Sequence, residues 1–104
     1  MDKIFKALAD KSRRKLLDKL FAKNGQTLGE LSEYLAMSRQ AVTKHLLILQ
    51  EANLISVKWR GREKLHYLNS VPIHQIMRRW VNKYEDQRLE ALSALKKNLE
   101  SSIK

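Results

Sequence analysis

Apolar residues recur along this chain at two periods. Ile4, Phe5 and Leu8 share a face at helical spacing, which predicts a short helix over residues 2–8. Asp10 is placed to cap a second helix running to about Lys23, with Leu16, Leu17, Leu20 and Phe21 facing inward and Asn24-Gly25 as the stop. Thr27 and Glu30 have the spacing of a capping box, and Leu28, Leu31 and Leu35 line one side of the helix that follows. Met37-Ser38 interrupts it. Ser38 then caps a fourth helix whose core positions are Val42, Leu46 and Leu49, and Asn53 is suited to a left-handed helix end.

After Asn53 the period shortens to two. Ile55, Val57 and Trp59 alternate with Ser56 and Lys58, and beyond Arg60-Gly61 the residues Leu65 and Tyr67 alternate with Lys64, His66 and Leu68. That is the pattern of a two-stranded hairpin with a short glycine turn, spanning residues 54–68. Trp59 and Tyr67 are expected to pack at its base. Pro72 lies in the first turn of a last helix, 72–101, along which Ile73, Ile76, Met77, Trp80, Tyr84, Leu92, Leu95 and Leu99 form a stripe. From Pro72 to Glu100 that helix measures about 43 Å, more than the width of so small a domain. A stripe of that length needs a partner surface, and a second copy of the chain is the simplest. The expected fold is mainly α with a small β-hairpin.

Composition narrows this picture. The 104 residues suffice for one domain, 1–104, and the scarcity of breakers (three glycines, one proline) agrees with a mostly helical chain. The formal net charge is +10, which favours an anionic partner. Residues 1–23 carry eight basic and three acidic side chains, and residues 58–64 carry four basic and one acidic. The absence of cysteine removes disulfides and thiolate chemistry and fits a reducing compartment. With no signal-type apolar stretch, and no run near the roughly 18 apolar residues of a membrane span, the chain is expected to be soluble and cytoplasmic.

The charge and the pattern converge on residues 27–64. Two short amphipathic helices a few residues apart can cross steeply, packing Leu31 and Leu35 against Val42, Leu46 and Leu49. The other face of the fourth helix then presents Ser38, Arg39, Gln40, Thr43 and Lys44, and residues 38–50 contain no acidic side chain. Arg suits guanine edges and Gln suits adenine edges, each by two-point hydrogen bonding. These residues lie in the first two turns, where a recognition helix meets bases. Lys58, Arg60, Arg62 and Lys64 sit at or beside the hairpin tip, where a wing tracks phosphates or enters a minor groove. Taken singly, the helix face is also an ordinary solvated face, and the basic hairpin a charge-protected edge. The turn, the wing and the charge together favour DNA reading. His45 either reaches a phosphate or packs between helices.

The run Ser38-Arg39-Gln40-Ala41-Val42-Thr43-Lys44-His45-Leu46 is followed by Leu49-Gln50-Glu51-Ala52-Asn53-Leu54-Ile55, then by Arg60-Gly61-Arg62 and Tyr67-Leu68. Together these resemble the winged-helix signature of the ArsR/SmtB family, and Ala7-Leu8-Ala9-Asp10 with Arg13-Arg14 resembles its N-terminal segment. The resemblance covers nearly the whole chain. It implies a homodimeric repressor, or an autorepressor acting on its own promoter region, that binds a pseudo-palindromic double-stranded DNA operator and is thereby associated with the nucleoid. It sets Ser38, Gln40, Thr43 and Lys44 at reading positions and Arg60 and Arg62 at the wing tip. Pairing through the first and last helices would bring Ile4, Phe5 and Leu8 together with Ile76, Met77, Trp80, Tyr84, Leu92 and Leu95. Lys11 and Asn53 stand where the family usually has proline and glycine.

Metal sensing does not carry over. The family's sensors place cysteines before the turn, where this chain reads Thr27-Leu28-Gly29-Glu30-Leu31, and the last helix offers His74 without a second histidine. His45, His66 and His74 lack short ligand spacing, so no metal and no other cofactor is expected. His66 and His74 are expected to be structural or exposed. The region of Trp80, Tyr84-Glu85 and Arg88-Leu89 resembles the metal-independent members. No phosphate-cradling glycine loop and no nucleophile-and-base arrangement points to an enzyme. A winged-helix module for protein or RNA, and a metal-responsive repressor, are the competing readings. An unknown small-molecule or protein effector remains open as a further partner.

Overall fold

The computed structural model describes residues 2–103, with side-chain surroundings through residue 100. Five helices and one hairpin follow in the order α1 (Asp2–Leu8), α2 (Lys11–Ala22), α3 (Leu28–Ser32), α4 (Arg39–Glu51), β1 (Ile55–Arg60), β2 (Glu63–Leu68) and α5 (Val71–Ile103). The chain divides into two compact units, Met1–Ile73 and His74–Lys104.

Local hydrogen bonding sets the helix starts. Asp10 caps α2 by accepting from the backbone N–H groups of Ser12 at 2.8 Å and Arg13 at 3.1 Å. Those bonds, led by the one from Arg13, hold the Asp10 carboxyl below its ordinary pKa despite partial burial. Thr27 and Glu30 close a full capping box on α3, and Ser38 accepts from the Ala41 N–H on α4. Lys11 occupies the first helical position of α2, where a proline would also fit.

α3 is shorter than its leucine spacing predicts. After Ser32 the backbone tightens into three-residue bonds, Tyr34 N to Leu31 O and Leu35 N to Ser32 O. The Ser32 hydroxyl donates to the Leu28 carbonyl at 2.7 Å. Leu35 therefore reaches the core from the turn and not from a helix.

α4 ends with Asn53 at φ 61°. Leu54 N–H bonds to Leu49 O at 2.9 Å and Asn53 N–H to Gln50 O at 3.0 Å, the paired closure of a left-handed helix stop. Leu49 and Leu54, at its two ends, are fully buried. This stop aims the chain directly into β1.

Leu16, Leu20, Leu31, Val42 and Leu49 have no exposed surface and form the centre of the core. Phe21 does not join them. It is 81% exposed while the adjacent Leu20 is fully buried, so it lies on the solvent side of α2. β1 and β2 pair antiparallel with Ile55 opposite Leu68 and Arg60 opposite Glu63. Gly61-Arg62 forms the two-residue turn, with Gly61 at φ 63°. Trp59 is likewise not base packing. It is 69% exposed, since the hairpin there has left the helices behind.

The hairpin's base is held from both sides. Leu65 and His66 are adjacent and both buried, so strict alternation fails at this point. Gln26 explains it: its backbone pairs with His66 as a one-residue third strand, Gln26 N to His66 O at 3.2 Å and His66 N to Gln26 O at 2.8 Å. Tyr67 packs close to Gly25, whose φ of 79° and crowding leave no easy room for a side chain.

α5 is a continuous helix of 33 residues, about 50 Å long at about 1.5 Å per residue. Met77, Trp80, Tyr84, Leu92, Leu95 and Leu99 are exposed along it, and Ile76 is partly buried. The Trp80 and Tyr84 rings lie 6.2 Å apart.

Candidate nucleic-acid interface

The candidate interface is built on α4. Its inward side is anchored by Val42, Leu46 and Leu49, and the period of the helix turns Arg39, Gln40, Thr43, Lys44 and Leu47 to the outside, beside an exposed Ser38. The strip runs over three turns, one more than the polar residues alone suggest. Leu47 extends it at i+4 from Thr43 and is 53% exposed.

Each side chain arrives with restrictions. The Ser38 hydroxyl is engaged as the α4 cap. The Thr43 hydroxyl donates to Arg39 O at 2.8 Å, which leaves its oxygen able only to accept from a ligand. The Arg39 guanidinium lies back towards α3, with Nη2 3.4 Å from where a Cβ on Gly29 would sit. Gln40 and Lys44 have no side-chain bond among the described residues.

His45 is on α4 but not on this strip. Its Nδ1 accepts from Arg13 Nη1 at 3.2 Å and lies 4.0 Å from the Asp10 carboxylate. Arg13 also donates to Ala7 O at 2.8 Å and Lys6 O at 3.0 Å, closing the end of α1. The ring thus packs between α4 and the α1–α2 corner. Of the two roles open to His45 in the sequence, the structure shows the packing one.

The wing carries Lys58, Arg60, Arg62 and Lys64, all exposed. Arg60 pairs with Glu63 across the turn at 3.0 Å, an exposed ion pair that steadies the tip only weakly. Lys58 lies over the Tyr67 ring at 5.7 Å. Arg62, at the turn itself, has no such partner among the described residues. Trp59 stands opposite Lys64 on the outer part of the hairpin and brings an aromatic surface to this basic group. Sequence reasoning assigned it to packing, and only its position beyond the helices reveals otherwise.

Behind the wing, Gln26 ties three elements together. Its side-chain N–H2 donates to Lys19 O at 3.0 Å and Lys23 O at 2.7 Å, and its Oε1 accepts from Tyr34 at 3.1 Å. His66 Nδ1 is 2.9 Å from the Gln26 carbonyl. Burial pushes the His66 pKa down, with the Gln26 carbonyl opposing and Lys64 adding to the depression. Among the described residues no group of three or more His, Cys, Asp or Glu side chains is arranged to hold a metal. Among them, too, no helix is long and apolar enough to cross a membrane.

A family model described as a helix-turn-helix domain matches residues 8–58. The chain is 38% identical over 86 residues to the uncharacterized HTH-type transcriptional regulator YuzN of Bacillus subtilis (strain 168), covering 77% of this chain and 94% of that protein. It is 36% identical over 70 residues to the transcriptional repressor SdpR of the same strain, covering 67% of this chain and 77% of that protein. Among solved structures, an ArsR-like transcriptional regulator from Rhodococcus sp. RHA1 superposes with a TM-score of 0.74 at 28% identity, over 93% of this chain and 90% of its own.

Proposed function

This chain belongs to the ArsR family of winged helix-turn-helix transcriptional regulators, and from that premise we propose that it is a cytoplasmic homodimeric repressor reading a two-fold symmetric operator. The observation that carries this reading is the exposed strip of α4, with Arg39, Gln40, Thr43 and Lys44 in a stretch, residues 38–50, that holds no acidic side chain, flanked by a wing of four exposed cations. In this proposal Gln40 and Arg39 read base edges, Thr43 and Ser38 accept or donate at the groove wall, and Lys44 meets a phosphate. Lys58, Arg60, Arg62 and Lys64 follow the backbone or the minor groove, with Arg62 at the point of entry. His45 holds the helix in place and makes no contact with DNA.

Dimer pairing uses Ile4, Phe5 and Leu8 with Ile76, Met77, Trp80, Tyr84, Leu92 and Leu95. Phe5 at 49% exposed and Trp80 at 44% are large apolar surfaces of the kind such an interface covers. SdpR carries the name of repressor, and this supports repression over activation.

Selection of bound duplexes from a random pool, followed by footprinting, tests the reading. The expected result is a symmetric site with half-sites about 10 base pairs apart. Arg39→Ala or Gln40→Ala should each cost about 1–3 kcal/mol on the selected site and little on random DNA. Arg62→Ala should weaken both and lower the salt slope by about one. Absence of any preferred sequence, or affinity indifferent to salt, overturns the reading.

A further inference from the structure

A recess of about 220 Å3 opens between α4 and the wing. Leu28, Leu46 and Leu47 line it, together with Thr43 and Gln50 of α4, and β2 contributes Lys64 and His66. An apolar cavity of about 150 Å3 is large enough for benzene, so this one admits a substituted ring.

The polar chemistry inside is specific. His66 is only 4% exposed. Its Nδ1 faces the Gln26 carbonyl, which can only accept, so Nδ1 carries the ring proton. Burial lowers its pKa and keeps the ring neutral near pH 7. Nε2 is then a bare acceptor. Among the described residues nothing donates to it, and it stays open to solvent. An accessible acceptor beside three leucines suits a donor on an otherwise apolar molecule.

We propose that this recess binds a small aromatic molecule bearing one hydroxyl, its ring packed on Leu46 and Leu47 and its O–H donating to Nε2 of His66. Thr43 and Lys64 belong both to the recess and to the surface assigned to DNA. An occupant therefore sits between the recognition helix and the wing and opposes operator binding. That consequence rests on the function proposed above; the binding itself does not.

The test uses the full chain and two probes of nearly equal shape, phenol and toluene, followed by the methyl signals of Leu28, Leu46 and Leu47 and the ring nitrogens of His66. Phenol should shift these together along one saturation curve, with half-saturation at about 1 mM or below. Toluene, lacking the donor, should bind at least about tenfold more weakly. Leu47 is half-exposed, so Leu47→Trp fills the mouth of the recess without disturbing the core and should weaken phenol binding to a similar degree. Absence of saturable shifts at these leucines overturns the site, and equal affinities for phenol and toluene overturn the His66 contact. Operator affinity unchanged at saturating phenol overturns the antagonism. A chain that binds phenol as expected but selects no DNA sequence upholds the site while the repressor reading fails.

Discussion

Gln26 shows how much one buried polar residue organises. It is fully buried, and its side chain bonds two carbonyls at the end of α2 and the Tyr34 hydroxyl, while its backbone receives β2. Gln26→Leu keeps the volume but leaves the Lys23 carbonyl and the Tyr34 hydroxyl unmet. A cost of about 2–3 kcal/mol is expected in chemical denaturation, more than a leucine gains by burial there. His66 adds a pH dependence. Its folded pKa is depressed below the ordinary value of 6.5, so the unfolded chain binds the proton first. The His66 contribution is therefore complete above about pH 6.5 and is lost progressively as pH falls below it. Urea midpoints at pH 7.5 and 5.5 should differ in that direction, and His66→Gln should flatten much of the difference. A midpoint that rises on acidification would contradict the assignment.

Among the elements, the wing depends most on a single backbone geometry. Its turn is two residues long and places Gly61 at φ 63°, where nothing crowds the position but an L side chain is strained. Gly61→Val should cost about 1–2 kcal/mol, all of it in the hairpin. Hydrogen exchange should quicken at β1 and β2 amides while α2 and α4 amides keep their protection, and operator affinity should fall with it. Loss of protection throughout the chain would show instead that the wing and the helical core unfold together. α4 contrasts with this. It is fixed at one end by Ser38 and at the other by the Asn53 stop, with three buried side chains between them, so its exposed strip is presented on a rigid support.

At the scale of the whole molecule, the net charge of +10 and the exposed stripe on α5 are the two properties that call for partners. The charge favours a polyanion at long range and makes association salt-dependent. The stripe favours another apolar surface. Trp80→Glu places a charge beside Tyr84 and Met77 in the proposed pairing surface. Sedimentation equilibrium should find the parent chain at twice its 12.2 kDa mass and the variant shifted towards one. A parent chain that stays at the single-chain mass at every concentration would remove the dimer and, with it, the two-fold operator.

What the sequence determined by itself is what depends on near neighbours. Asp10, Thr27 with Glu30, Ser38 and Asn53 bond within a few residues, so their spacing announced the starts of α2, α3 and α4 and the end of α4. The buried leucines of α2 and α4 and the outward face bearing Arg39, Gln40, Thr43 and Lys44 followed from one helical period. Tertiary structure decided what depends on where an element stops having neighbours or gains one from far along the chain. Phe21 reads as inward yet lies on the solvent side of α2, and Trp59 lies past the elements that would cover it. His45 turns to Arg13 and Asp10, 32 residues away in the first of those bonds, and His66 is buried by Gln26, 40 residues away. The helical period places a residue on a face, but whether that face meets protein or solvent is settled by packing, which no local window of sequence contains.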